Sequence, residues 1–381
     1  MKILWICGLP NEVRQKGAGH VLSSVQTAAW SWILGHLPPP AGVELHILCP
    51  VLGLTEQRVD FEWSGVHWHC FRQRRHEVAF LWLRFYFSIL RFVKQLAPDV
   101  IHGWGGETGC GWLATLLSRR AVVSVQGLLL LCEALEPGGK HHRSVTDQVF
   151  FFLEKNTYRR ARLRMVESLL SRDELQKRYG LDSVVVPHPL RHQFVEHEEA
   201  GMHNARELLF VGRLVAAKGV LDLIRAFVNV RLNGLQLTII GSGPEKLNIQ
   251  EIALRGGCDK RVSFISECSA RTVYECMQKS GVFVLPSYAD TGPTVLKEAI
   301  SQGLYPICYN NSGPRELVNR YWGSLVDTGD VQGLTAEIER VCLNFQIISS
   351  VRAENVSRIR QDLSPTRVWN SLLREYSAVC L

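Results

Sequence analysis

No run of about 18 to 20 uninterrupted apolar residues occurs in the chain, which excludes a membrane-spanning helix. The amino-terminal Met1–Pro10 is apolar but carries only Lys2 as a charge. It has no charged leader region and no small-residue cleavage site, so it reads as a first strand. There is no Cys-x-x-Cys pair and no Cys/His spacing suited to zinc. The 11 cysteines are scattered and odd in number, as reduced thiols of a cytosolic protein would be. Charge does not gather into a long run: Lys+Arg 43 against Asp+Glu 36 gives +7. That balance is weak support for nucleic acid and suits an anionic small ligand or an anionic membrane surface as well. Low-complexity segments and short tandem repeats are also missing. With 46% hydrophobic and 21% charged residues, disorder is excluded. A chain of 381 residues has room for two domains at roughly 150 residues each.

Short apolar runs alternate with longer amphipathic stretches. Lys2–Cys7, Val43–Cys49, Asp99–His102 and Ala121–Val125 have the length and composition of buried strands, and a helical stretch covers about Val21 to Leu37. The pattern restarts beyond residue 200. Strands are predicted at Glu207–Val211, Leu235–Ile240, Val262–Ile265, Val282–Pro286 and Leu304–Cys308, with a helix over Gly219–Val230 after the first. Strands separated by helices form βαβ units and a parallel sheet. The fold class is therefore α/β, with two Rossmann-like doubly wound domains in tandem. The N-terminal domain covers 1–190 and the C-terminal domain 205–362. A final helical segment, 363–381, is expected to pack back on the N-terminal domain. Between the domains, Pro187-His188-Pro189 and the acidic run Glu196–Glu199 read as linker.

The stretch that carries chemistry begins at Val282. A strand ends at Pro286-Ser287, a turn follows through Asp290-Thr291-Gly292, and Pro293 stands where the first helical residue would be. The N–H groups of Thr294 and Val295 would then have no intrahelical acceptor, and with the helix dipole they form a place for a phosphate. Gly292 lets a ligand approach the backbone. Glu298, four residues after Thr294, lies on the same helix face and can accept hydrogen bonds from sugar hydroxyls. Each residue has a plainer alternative: Asp290 as a helix cap, Glu298 as a solvated helix glutamate, Arg213 and Lys218 as surface charges, Gly17 and Gly19 as turn glycines.

The spacing from Asp290 to Glu298, acid then seven residues then acid, resembles the E-x7-E signature of the retaining glycosyltransferases of family 4, which have the GT-B fold. Pro286, Ser287, Glu298, Ala299, Gly303 and Pro306 match that signature. Asp290 replaces the first Glu, and Thr291-Gly292-Pro293 replaces Gly-Phe-Gly. Phe210–Gly219, FVGRLVAAKG, resembles the family's G-R-L-x-x-x-K-G element. Weaker matches are Ile239–Glu245, Ser312–Leu317, Gly17-Ala18-Gly19 and Asp99–His102. After Val125 the family usually has a His, and this chain has Gln126, an amide that can donate to a sugar but cannot act as acid or base near neutral pH. His20 and His102 are candidates for that missing role.

The resemblance implies two domains facing a cleft and a nucleoside diphosphate sugar as co-substrate. Arg213, Lys218, Asp290 and Gln126 become the catalytic group. Gly17, Gly19, Gly212, Gly292, Pro293, Thr294, Val295 and Glu298 become the donor-binding group. The diphosphate would be held by two cations and a helix N-terminus, with no metal and no other cofactor. The implied activity is transfer of a hexose-type sugar to a glycan or lipid-linked glycan in bacterial surface polysaccharide synthesis. A sugar-nucleotide epimerase, a phosphorylase and a non-catalytic nucleotide-sugar binding module of the same fold stay open. No nucleic acid partner is expected, and the expected place is the cytoplasm or the inner face of the membrane. Phe80–Val93, with only Arg84 and Arg91 charged, is either a core helix or a helix lying on a membrane, and Tyr158–Arg164 could extend such a surface.

Overall fold

A computed structural model describes residues 1–16, 31–106, 109–126, 145–195, 204–266, 269–288 and 290–381. Gly17, Gly19 and His20, most of the predicted helix Val21–Leu37 and the acidic run Glu196–Glu199 lie outside these residues. The chain divides into two compact α/β units. One gathers the described residues up to Pro189 together with Pro365–Leu381, and the other is Leu190–Ser364.

The first unit is built on an eight-stranded sheet: β1 (Lys2–Ile6), β2 (Glu44–Leu52), β3 (Arg58–Trp63), β4 (Val66–Gln73), β5 (Val100–Trp104), β6 (Val122–Val125), β7 (Leu163–Val166) and β8 (Val184–Val185). The order is β3-β4-β2-β1-β5-β6-β7-β8, and only the β3–β4 pair is antiparallel. That hairpin, which the sequence reading did not include, closes through Ser64 and Gly65. Both have positive φ (55° and 68°), the backbone a two-residue hairpin turn requires. β1 and β5, covered on both faces, read as nearly continuous apolar runs, as strands of a parallel sheet should.

The carboxy-terminal helix Pro365–Cys380 belongs to this unit because of its aromatic side chains. Trp369 stacks on Trp5 with ring centroids 5.4 Å apart, and its Nε1 donates to the His36 carbonyl at 2.7 Å. The Tyr376 hydroxyl accepts from Trp5 Nε1 at 3.0 Å and bonds His102 Nδ1 at 2.6 Å. The helix Leu83–Leu96 buries Phe85, Ile89 and Val93, one stripe at helical spacing, in the core. Leu83, Phe87, Arg91 and Lys94 stand exposed on it, so the apolar Phe80–Val93 stretch is a core helix on one side and an exposed aromatic and basic surface on the other. No helix among the described residues is long and apolar enough to cross a membrane.

The second unit has six strands, all parallel: β9 (Asn204–Val211), β10 (Gln236–Ile240), β11 (Val262–Ile265), β12 (Ser280–Leu285), β13 (Tyr305–Tyr309) and β14 (Ser324–Val326). Their order is β11-β10-β9-β12-β13-β14. The chain starts in the middle, winds outward one way, then returns and winds the other way. The reversal falls between β9 and β12, and in such sheets ligands bind outside the carboxyl ends of the strands at this point. Leu190–Val195 lie with this unit. Phe194 is buried in its core, and Leu190 N–H donates to the Leu363 carbonyl at 2.9 Å.

Candidate active site

Four loops leave the carboxyl ends of β9, β10, β12 and β13, and the two beside the strand-order reversal carry most of the predicted residues. After β9 the chain runs through Gly212, the exposed Arg213 and the buried Leu214 into a 3-10 turn, Ala216–Lys218. Gly219 then caps that turn with φ of 66° and opens the helix Val220–Asn229. A Cβ at Gly219 would stand 1.8 Å from the Pro286 carbonyl oxygen, so the β9 loop reaches the β12 loop only because this residue is glycine. The two loops are also joined by hydrogen bonds. Tyr288 N–H donates to the Ala217 carbonyl at 2.9 Å, and Ser287 Oγ donates to the same oxygen at 3.2 Å. The β10 loop closes on the other side, where Leu214 N–H donates to the Ser242 carbonyl at 2.9 Å.

This packing brings Lys218 and Asp290 together, 72 residues apart in sequence, with Lys218 Nζ donating to Asp290 Oδ2. Asp290 is fixed by its backbone too, since its carbonyl accepts from Gly313 N–H at 2.9 Å. Its Oδ1 receives a long contact from Gly292 N–H at 3.4 Å, the Asx turn expected of a short acid at this place. The β12 loop is held from the other end by Tyr288. Its hydroxyl donates to Asp222 Oδ2 at 2.6 Å, and Tyr309 donates to the same oxygen at 2.9 Å. Burial and the hydrogen bond to Asp222 raise the Tyr288 hydroxyl to about 12, so it stays a donor near neutral pH.

The helix begins at Thr294, one residue later than the sequence placed it, and Pro293 is the residue before it. The Pro293 carbonyl accepts from Leu296 N–H at 3.0 Å, while the N–H groups of Thr294 and Val295 precede the first intrahelical bond. Glu298 lies on this helix, buried to 2% exposure, and its Oε1 accepts from Arg191 Nε at 2.7 Å. Arg191, Asp222 and Tyr288 were not among the predicted residues. Arg191 and Asp222 partner residues 107 and 66 positions away, a separation that leaves no local pattern to read.

Gln126 belongs to the first unit, at the end of β6. Its Nε2 meets His188 Nε2 at 3.3 Å, and an amide NH₂ can only donate. His188 Nδ1 lies 3.3 Å from Glu167 Oε1. His102 is wholly buried. Its Nδ1 and Nε2 are engaged by the Tyr376 and Ser124 hydroxyls, and its ring stacks on Trp104 at 4.3 Å. Burial pushes its pKa well down, with His36 and His188 adding to the effect. His102 is thus a packing residue of the core, which corrects its candidacy as an acid or base. Among the described residues no group of three or more His, Cys, Asp or Glu gathers as metal ligands would.

Residues 194–352 match the family model of glycosyl transferases group 1, and residues 34–190 match that of the glycosyl transferase 4-like domain. A putative teichuronic acid biosynthesis glycosyltransferase, TuaC of Bacillus subtilis, is 25% identical over 265 residues, which is 66% of this chain and 64% of that protein. The chain spans about half to two thirds of the length of the curated relatives it matches most strongly. Among solved structures, sucrose-phosphate synthase from Thermosynechococcus elongatus superposes with a TM-score of 0.77 at 16% identity, over 100% of this chain and 99% of that one. HepE of Anabaena, solved in complex with UDP-glucose, superposes with a TM-score of 0.74 at 17% identity, over 99% and 100%. These two likenesses show the fold. With the two family models meeting end to end across its two α/β units, the chain belongs to the family 4 glycosyltransferases of the GT-B fold.

Proposed function

We propose that this chain is a retaining glycosyltransferase that moves a hexose-type sugar from a nucleoside diphosphate sugar to a glycan or lipid-linked glycan in bacterial surface polysaccharide synthesis. The observation that carries the reading is the grouping of Arg213, the Lys218–Asp290 pair and the first turn of the Thr294–Ser301 helix at one strand-order reversal. Two cations and a helix N-terminus suit a pyrophosphate. Asp290, tied to Lys218, would accept from sugar hydroxyls next to those phosphates, and Glu298 from the ribose. The polysaccharide setting is supported by the relative named for teichuronic acid biosynthesis, and the donor class by the neighbour solved with UDP-glucose.

In the proposed reaction the bond from the anomeric carbon to the leaving phosphate oxygen breaks, and the acceptor oxygen bonds that carbon on the same face. The acceptor proton passes to the departing phosphate. Negative charge grows on the diphosphate as the bond opens, and Arg213 and Lys218 stabilise it without a metal ion. Gln126 contributes hydrogen bonding only, because its amide exchanges no proton near neutral pH.

A thermal-shift panel of UDP-, GDP-, ADP- and CDP-sugars tests the reading. A ligand that binds only the folded state raises the melting temperature by an amount that grows with ln(1 + [L]/Kd). The expected result is a shift with one base at sub-millimolar concentration, retained in EDTA. No shift with any of the four would sink the donor assignment, and a shift that vanishes in EDTA would sink the metal-free grip.

A further inference from the structure

We propose that Arg191 is a positioning residue for nucleotide recognition: it holds one oxygen of Glu298 so that the other is presented to the ribose hydroxyls. The inference rests on the donor reading above and adds to it a residue from outside the strand–turn–helix pattern.

Arg191 and Glu298 are both nearly buried, at 8% and 2% exposure, with Arg191 Nε 2.7 Å from Glu298 Oε1. Among the described residues, Glu298 Oε2 accepts no hydrogen bond. A carboxylate offers about four lone-pair sites, so this one has acceptor capacity to spare. The arginine is itself held in place. Its guanidinium lies 5.0 Å from the centre of the Phe194 ring. The Phe194 carbonyl accepts from Gln302 Nε2 at 3.0 Å, one residue past the end of the helix that bears Glu298. Leu190 N–H is bonded to the Leu363 carbonyl at 2.9 Å. The segment that carries Arg191 is therefore fastened to the site helix before any ligand arrives.

Stability alone is a weak reason for such a pair. Removing both charges from water costs as much as their attraction returns, and apolar residues of the same volume commonly serve as well. What the pair supplies is orientation. A glutamate side chain has three rotatable bonds, and a charge-assisted hydrogen bond to one oxygen sets where the other points. Hydroxyls donating to that charged oxygen bind more strongly than they would to a neutral acceptor, provided the oxygen is already aimed.

The test compares the affinity for a ribonucleoside diphosphate with that for its 2′,3′-dideoxy counterpart, by calorimetry. UDP and 2′,3′-dideoxy-UDP are the first pair, replaced by the base that the sugar panel selects. Wild type, Arg191→Ala and Arg191→Lys are measured, each with its melting temperature. Wild type should prefer the ribonucleotide by about 10-fold to 100-fold, the range for hydroxyls bonded to a charged group. In Arg191→Ala that preference should fall to within about threefold of unity while dideoxy binding is kept. Arg191→Lys, which restores a donor at the same place, should recover part of the preference. Retained dideoxy binding also shows that the variant is folded. Equal weakening of both ligands in Arg191→Ala would mark a structural role and overturn the proposal, as would an unchanged preference. A wild type that binds both ligands equally overturns the ribose role while leaving the diphosphate grip intact. A wild type that binds neither overturns the donor reading itself.

Discussion

Arg213 and Lys218 stand five residues apart on one loop and are held in different ways. Lys218 is partly buried and committed to Asp290, while Arg213 is exposed. Deleting Lys218 takes a cationic partner from a partly buried carboxylate and confounds binding with stability. Deleting Arg213 does not, because exposed positions away from special features change stability by less than about 0.5 kcal/mol. Arg213→Ala should therefore weaken diphosphate binding by about 10-fold or more, the worth of a charge-assisted hydrogen bond, with an unchanged melting temperature. Calorimetry and a thermal melt on the same preparation check both halves. The motif residues were legible because each follows a strand or opens a helix at fixed spacing, as Gly212-Arg213, Lys218-Gly219 and Asp290–Glu298 do. The residues that hold them, Arg191, Asp222 and Tyr288, come into contact only through the fold. Asp222 in particular looks like any acid in a first helical turn until two tyrosine hydroxyls are seen to meet on it.

At the scale of elements, the carboxy-terminal helix carries a pH dependence that follows from where it docks. His102 and His36 are buried beneath it, and burial lowers both pKa values well below 6.5, with further lowering from neighbouring histidines. Both are neutral in the folded protein, whereas the unfolded chain takes up their protons near pH 6.5. Their contribution is thus complete above about pH 6.5 and is lost as pH falls, at about 1.4 kcal/mol per pH unit for each histidine until its folded pKa is reached. The urea midpoint should fall between pH 7.5 and 5.5, and His102→Gln should reduce that fall while lowering stability at pH 7.5. The same pH slope in wild type and variant would contradict this account. Of the second unit's described strands, all but the three-residue β14 were legible within a few residues, and β11 at its two ends, because fully covered parallel strands are short apolar runs between turns. The β3–β4 hairpin was not. Arg58–Trp63 alternates polar and apolar residues on a half-exposed edge, and its turn is Ser-Gly, a weaker signal than Asn-Gly. β8 is two residues long and carries no pattern at all.

At the scale of the whole molecule, the restart of the strand–helix pattern after residue 200 was the feature that announced two α/β units, and the two family models divide the chain at nearly the same place. The carboxy terminus returns to the first unit through Trp369 and Tyr376, side chains that a helical spacing could bring to one face but could not assign to a partner. The second unit starts at Leu190, earlier than the composition shift suggested. The apolar anchors Leu190 and Phe194 precede the acidic run, and only the latter stands out in the sequence. All chemistry proposed for the chain depends on that second unit gripping a pyrophosphate at its strand-order reversal. The most direct measurement is a calorimetric ladder on the wild-type protein with UDP, UMP and uridine, or the equivalent series for the base that the panel selects. The account predicts that each phosphate removed weakens binding by about 10-fold or more, the worth of one charge-assisted contact. Equal affinities along the ladder would mean that the base and ribose are held and the diphosphate is not, and would contradict it.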